Sequence, residues 1–191
     1  MSSKKRGILV LYTGSSGVGK GTIMAELLKR DPSIRLSVSN TTRDPREGEI
    51  DGVHYNFVTK EQFEELIDSN GYLEYAKYCD NYYGTPKKQV EDLLDEGYNV
   101  FLEIEVQGGL QILEKYPDVL SIFILPPSMD VLEKRLRNRG TEKEDVILKR
   151  LEEAKNEIGF KDRYRFNVVN GELETAVDEV LEILHNEIAK S

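Results

Sequence analysis

An apolar run of strand length, GILVLYT at residues 7–13, leads directly into the glycine-rich turn GSSGVGKGT at 14–22. The turn opens a segment with Ile23, Met24, Leu27 and Leu28 on one helical face, which stops near Asp31-Pro32. A strand, a glycine-rich turn and a helix in this order aim successive backbone N–H groups and the positive helix end at one point. That arrangement seats the phosphates of a nucleotide, and Lys20 is placed to reach the outer ones. A glycine-rich connection that holds nothing is the plain alternative, and the strand before the turn and the helix after it argue against it. The usual form, G-x-x-x-x-G-K-[ST], puts a hydroxyl after the lysine for magnesium; here Gly21 stands there and Thr22 follows. Magnesium is therefore expected to be held mainly by phosphate oxygens and water, with carboxylates one layer out and the Thr22 hydroxyl on an inner phosphate. Weaker metal affinity should follow.

Beyond this unit, apolar segments of strand length alternate with amphipathic segments of helix length, the pattern of a parallel sheet covered on both faces by helices. YNVFLEIEV (98–106), LSIFIL (120–125) and YRFNVV (164–169) read as further strands. Helical patterns lie near 86–96, 108–115, 129–138, 142–158 and 173–189. Thr85-Pro86 reads as an N-cap followed by proline at the first helical position, and Gly97 sits where a helix end wants a left-handed residue. TKEQ (59–62) and TEKE (141–144) both have the form of capping boxes.

From Ser37 to Tyr83 the alternation breaks, and the chain turns rich in tyrosine and charge. IDGVHYNFV (50–58) reads as a hairpin about Asp51-Gly52, 60–69 as a helix and GYLEYAKYCDNYYG (71–84) as more short strands. This is an insertion into the parallel core, a unit able to pivot over a site that the core builds.

Three clusters of charge outside the turn bear on that site. SVSNTTRDPREGE (37–49) gathers Ser39, Arg43, Arg46 and Glu49 about a turn fixed by Pro45, and arginine forks match phosphate oxygens. Glu103 and Glu105 close an apolar strand and, two apart, point to one face at the end where open α/β sheets place their ligands. EKRLRNRGTEKEDVILKR (133–150) carries Arg135, Arg139 and Arg150 on either side of Gly140, where a lid can bend. Taken singly, each of these charges has an ordinary reading as a solvated or salt-bridged surface group, and Tyr55, Tyr82 and Tyr83 as packing of the insertion.

The phosphate loop, SVSNTTRDPREGE, GVHYNF, NYYGT, LEIEVQG, PPS, RLRNRGTE and VVN occur in the order and spacing of guanylate kinases, which the chain resembles over nearly its whole length. The resemblance implies a single domain over 1–191 with the α/β P-loop NTPase fold, three layers αβα. Its parts would be a five-stranded parallel core sheet (about 5–36, 86–134 and 160–191), an inserted α/β GMP-binding subdomain (about 37–85) and a short helical lid (about 135–159). It implies ATP-dependent, magnesium-dependent phosphorylation of GMP, and of dGMP, to the diphosphate. Carried over by position, ATP would lie against Gly14, Ser15, Ser16, Gly17, Val18, Gly19, Lys20, Gly21 and Thr22, with Arg135, Arg139 and Asn170. The GMP phosphate would meet Ser39, Arg43, Arg46, Tyr55 and Tyr83, with Glu49 and Arg150 beside it. Guanine would meet Glu74, Thr85 and Glu105, while Glu103 would border GMP and hold magnesium through water. Lys20, Arg43, Arg46, Arg135, Arg139 and Arg150 would carry the catalysis. The chemistry of the base agrees: guanine offers N1–H and an exocyclic amine as adjacent donors to one carboxylate, whereas the unprotonated N1 of adenine would be repelled.

A formal charge of −9 argues against a nucleic-acid polymer as partner, and no stretch reaches transmembrane length. Anionic ligands must then meet a local cluster of cations. ATP and GMP together bring about six negative charges, which Lys20, the five arginines and a magnesium ion would oppose. Cys79, the single cysteine, permits no intrachain disulfide and reads as an inert core thiol, in keeping with a cytoplasmic protein. A homodimer is left open, and His54 and His185 are given no role. Three rivals remain. A phosphopeptide-binding module of the same architecture would not need Lys20 or the lid arginines, a GTPase switch would need an absent N-K-x-D signature, and a kinase of another nucleoside monophosphate would keep the chemistry and change the base.

Overall fold

The computed structural model describes residues 5–78, 80–138 and 143–190. Cys79, Arg139, Gly140 and Thr141, all singled out above, lie outside the described residues. In chain order the elements are β1 (Leu9–Gly14), α1 (Lys20–Arg30), β2 (Ile34–Leu36), β3 (Asn40–Thr41), β4 (Asn56–Phe57), α2 (Lys60–Asp68), β5 (Tyr72–Tyr78), β6 (Asn81–Pro86), α3 (Lys87–Asp95), β7 (Asn99–Glu103), α4 (Val106–Lys115), β8 (Leu120–Leu125), α5 (Met129–Asn138), α6 (Glu144–Ile158), β9 (Phe166–Val169) and α7 (Leu173–Lys190).

Five strands make one parallel sheet in the order β2-β7-β1-β8-β9. Although these strands are buried on both faces, their side chains still divide by the period of two. Val10, Tyr12, Phe101, Ile122 and Ile124 join Ile23, Met24 and Leu27 of α1 and Ala176, Val177, Val180 and Leu184 of α7 in one apolar cluster. Leu11, Val100, Leu102 and Phe123 face the other way, against Val90 and Leu94 of α3 and Val106 and Ile112 of α4. The sheet is thus the middle of three layers. β1 lies between β7 and β8, so the chain leaves its carboxyl end where the strand order reverses, the place at which such sheets bind ligands.

A second sheet, β4-β3-β6-β5, occupies the insertion, with β5 and β6 antiparallel. Helix α2 closes on it through Phe63, whose ring stacks on Tyr72 at 4.3 Å and on Tyr82 at 5.1 Å. Tyr82 is therefore a packing residue. Thr59 and Gln62 form the reciprocal capping box read from TKEQ. A third, smaller cluster joins α5 to α6 through Leu132, Leu136, Ile147 and Ala154.

The structure corrects several expectations. Residues 50–58 do not form a hairpin: β4 pairs in parallel with β3, and Asp51 to Tyr55 is a tight loop in which the Gly52 N–H bonds to the Tyr55 carbonyl at 2.8 Å. Thr85 is the penultimate residue of β6 rather than a helix cap; Pro86 holds the N-cap position of α3 without a side-chain bond, and the Thr85 hydroxyl is used elsewhere. The strand read over 98–106 ends at Glu103, and Glu105 is instead the N-cap of α4, so the two acids are not successive residues of one strand face. The described N-cap of α6 is Lys143, which offers no side-chain cap. The three-residue strand β2 was not foreseen, because so short a run after Pro32 carries no alternation. Gly97, at φ 89°, takes the left-handed conformation expected of it.

Candidate active site

All five parallel strands point their carboxyl ends toward one edge, which brings the turn after β1, the insertion after β2, Glu103 at the end of β7 and Asn170 after β9 together. The turn itself needs two left-handed glycines, Gly17 at φ 79° and Gly19 at φ 98°. Side chains pack closely against both. A Cβ on Gly17 would stand 2.6 Å from Leu136 Cδ2, and one on Gly19 2.5 Å from Asn170 Nδ2. The Val18 carbonyl accepts from Asn170 Nδ2 at 2.8 Å and from Arg135 Nη1 at 3.2 Å, while Arg135 Nη2 donates to the Asn170 carbonyl at 2.8 Å. Arg135 and Asn170 thus hold the loop's outer side through its backbone. Lys20 folds over the loop, its ammonium donating to the carbonyls of Gly14 at 2.6 Å and Ser15 at 3.2 Å. Arg150, from α6, donates to Ser16 Oγ at 2.6 Å. Ser15 is buried, whereas Gly21 and Thr22 are exposed on the first turn of α1.

Three carboxylates flank the loop. Burial raises Glu103 above the ordinary carboxylate range, Lys20 pulls it back and Glu105 pushes it up further. A Cβ on Gly21 would lie 3.9 Å from Glu103 Oε1, so this acid stands beside the position that lacks a hydroxyl. Oxygen donors of this kind fit a magnesium ion that keeps phosphate and water ligands of its own. No group of three or more His, Cys, Asp or Glu able to hold a metal occurs among the described residues. Glu157 of α6 is the third acid, and sequence reasoning missed it. Its Oε2 accepts from the Ser16 N–H at 3.4 Å, and burial, with Glu105 nearby, raises its pKa. Nothing in the many acids of 142–158 distinguishes it; only the packing of α6 does.

In the loop that joins β3 to β4, Arg43 grips Glu49 with both prongs, Nη1 to Oε2 at 2.9 Å and Nη2 to Oε1 at 3.0 Å. Glu49 also accepts from the Arg46 N–H at 2.7 Å, and the Arg43 bond chiefly lowers its pKa to about 2. The Arg43 guanidinium lies over the rings of Tyr55 at 5.5 Å and Phe57 at 5.9 Å, and Tyr55 meets Tyr83 edge to face at 6.0 Å. Arg43, Glu49, Tyr55 and Tyr83 are therefore one constellation, with the Arg46 side chain exposed beside it. Ser39, half-buried, anchors the edge by accepting the Asn56 N–H on its carbonyl at 2.9 Å.

Between this constellation and the parallel sheet, Thr85 Oγ1 donates to Glu74 Oε1 at 2.6 Å. Glu74 is 6% exposed, and burial raises its pKa despite the two Thr85 hydrogen bonds and the charge of Lys115. A carboxylate so placed is a costly group to leave half-satisfied, and it can accept two adjacent N–H donors.

Comparison with known proteins accords with this geometry. The guanylate kinase family model matches residues 5–187. A guanylate kinase of Oceanobacillus iheyensis is 50% identical over 98% of this chain and 91% of its own length. One of Carboxydothermus hydrogenoformans is 48% identical over 97% and 91% respectively. Among solved structures, the guanylate kinase of Anaplasma phagocytophilum superposes with a TM-score of 0.73 at 36% identity, covering 96% of this chain and 87% of that one. A shikimate kinase of Bacteroides thetaiotaomicron shares the fold alone, at a TM-score of 0.50 and 17% identity over 93% of this chain and 98% of that one. With a matching family model over nearly its full length and relatives at half identity, the chain belongs to the guanylate kinase family.

Proposed function

We infer that the protein is a guanylate kinase, transferring the γ-phosphoryl group of ATP to GMP and giving ADP and GDP. The observation that carries this reading is the pair of cation-bearing seats at one edge. The Lys20 loop is one, the Arg43 constellation the other, and a buried carboxylate lies on the second sheet beside them. ATP would occupy the loop from Gly14 to Thr22, and GMP the second sheet, over roughly residues 37–85, with its phosphate toward Ser39, Arg43, Arg46, Tyr55 and Tyr83. Glu74, Thr85 and Glu105 would read guanine, the carboxylate accepting N1–H and the exocyclic amine together.

The accepting phosphate oxygen is already anionic, so no side chain need act as base; the protein's task is to position the reactants and oppose their charge. Lys20 would exchange its bonds to the loop carbonyls for phosphate oxygens, and Arg43 would exchange part of its hold on Glu49 for the acceptor phosphate. Arg150 and Arg139 would close from the lid over about 135–159, while Arg135 and Asn170 would keep the loop in shape for ATP. Glu103 would hold magnesium through water, and the metal would supply further neutralisation of phosphate charge. Closure of the insertion and lid together would keep water from the γ-phosphate. No helix among the described residues is long and apolar enough to cross a membrane, and we place the enzyme in the cytoplasm, serving purine nucleotide metabolism.

A coupled assay comparing GMP, dGMP, AMP and UMP with magnesium and ATP tests the reading. ADP should appear with GMP and dGMP only. ATP turnover that does not depend on a guanine monophosphate would refute it.

A further inference from the structure

β5 is an edge strand, and an edge strand ordinarily leaves alternate backbone N–H and C=O groups without partners. Here the core helix α4 supplies partners at Leu73 and Tyr75. Gln111 donates from Nε2 to the Tyr75 carbonyl at 3.0 Å and accepts the Tyr75 N–H on Oε1 at 3.4 Å, as a neighbouring strand would. Lys115 donates from Nζ to the Leu73 carbonyl at 2.8 Å. The Leu73 side chain, 1% exposed, is buried in the core cluster with Val106 and Ile112 of the same helix. Glu74 lies between these two anchored residues. Gly108 stands on the same stripe of α4, three residues before Gln111 and seven before Lys115. A Cβ at Gly108 would stand 2.7 Å from Glu74 Oε2, so the carboxylate rests against bare helix backbone.

We propose that the α4 stripe Gly108, Gln111 and Lys115 positions the Glu74 carboxylate and thereby sets the preference for guanine over bases lacking its exocyclic amine. Gly108 gives the carboxylate room, and Gln111 and Lys115 fix the strand on either side of it. These are positioning residues: they act on the base through Glu74 and touch no reacting atom. The role rests on the reading above in which Glu74 accepts the two guanine donors. A bidentate carboxylate is sensitive to displacement, because a shift of under an ångström lengthens one of its two hydrogen bonds beyond use. Burial raises the pKa of Glu74, and the Thr85 hydrogen bonds and the charge of Lys115 offset this only in part.

GMP and IMP differ by the exocyclic amine and so report on Glu74 directly. In the full-length protein at saturating ATP, Gln111→Met should raise KM for GMP about tenfold with kcat within about threefold of the parent, and reduce the GMP-over-IMP preference about tenfold. KM for ATP should not change. Gly108→Ala, which leaves the Gln111 bonds in place and intrudes on the carboxylate, should reduce the same preference. Mere loosening of the fold would lower thermal stability and depress both substrates alike. An unaltered GMP-over-IMP ratio in either folded variant overturns the proposal, and should Gln111→Met fail to fold, Gly108→Ala and Lys115→Met decide it by the same ratio. Glu74→Gln separates the two layers of the argument. If it preserves the preference, the assignment of Glu74 to guanine fails; if it abolishes the preference while Gln111→Met and Gly108→Ala retain it, only the positioning role fails.

Discussion

Arg43 and Glu49 hold one another through two parallel hydrogen bonds, at 2.9 and 3.0 Å, with Glu49 also fixed by the Arg46 backbone. A fork so held has lost its rotamer freedom before any ligand arrives, and it presents its cation on a tyrosine-lined seat. Replacing Arg43 or Arg46 by Met should lower turnover at least about a hundredfold, a loss of about 3 kcal/mol in transition-state stabilisation, with the fold intact. Steady-state rates within tenfold of the parent, alongside unchanged circular dichroism, would count against the assignment.

Glu157 rests on the Ser16 N–H, a donor that nucleotide phosphates would also seek. Burial lifts its pKa above the ordinary 4.5, so the folded protein binds more protons than the unfolded chain between 4.5 and the raised value. The stability that this acid costs is therefore felt in full above the raised value and vanishes as the pH falls toward 4.5. Glu157→Gln should raise Tm at neutral pH, and the gain should shrink to nothing near pH 4.5. With one negative charge removed from the loop, ATP should also bind about three- to tenfold more tightly by calorimetry. A weaker ATP complex would show instead that the carboxylate supports the loop.

Gly19 combines a left-handed backbone at φ 98° with a Cβ position 2.5 Å from Asn170 Nδ2. Gly19→Ala therefore strains the turn and displaces Asn170 from the Val18 carbonyl. Strain of about 1–3 kcal/mol placed on the loop should lower kcat/KM for ATP about five- to 150-fold. The core sheet, which packs through other residues, should keep its secondary structure, and near-parental kinetics would mean that the loop accommodates the methyl group.

Position 21 has space for a side chain, its nearest neighbour being Glu103 Oε1 at 3.9 Å. Gly21→Ser would restore the hydroxyl that phosphate loops of this kind carry next to their lysine. The magnesium concentration giving half-maximal rate should fall by about threefold or more. An unchanged magnesium titration would place the metal away from this turn.

Thr59→Ala removes one half of the capping box on α2 and should cost about 1 kcal/mol in denaturant unfolding. Hydrogen exchange should locate the loss in the first turn of α2, and an even loss across both sheets would contradict a local cap.

Local chemistry made much of this molecule legible. The order strand, glycine turn, lysine, helix at 7–30 needs only neighbours in the chain, and it appears as β1, the loop and α1. The box at Thr59 and the left-handed Gly97 are equally local, since their bonds span a few residues. That helices cover both faces of the sheet followed from apolar strand-length runs taking turns with amphipathic helix-length segments along the chain. What a sequence reader could not obtain is what depends on partners far along the chain. Thr85 looked like a cap because its local signal was that of a cap, yet its hydroxyl is taken by Glu74 on the neighbouring strand. Glu103 and Glu105 looked like one face of a strand, and the turn into α4 separates them. Glu157, Gln111 and Lys115 gave no motif at all, because their partners, Ser16, Tyr75 and Leu73, are 141, 36 and 42 residues away. The sequence by itself determined the phosphate loop and the layered core, which rest on short-range pattern, and the family, which rests on a series of short motifs in a fixed order along the chain. Only the tertiary structure decided which charges face the loop and what holds Glu74 in place, because burial and hydrogen-bond partnership are properties of distant segments brought together.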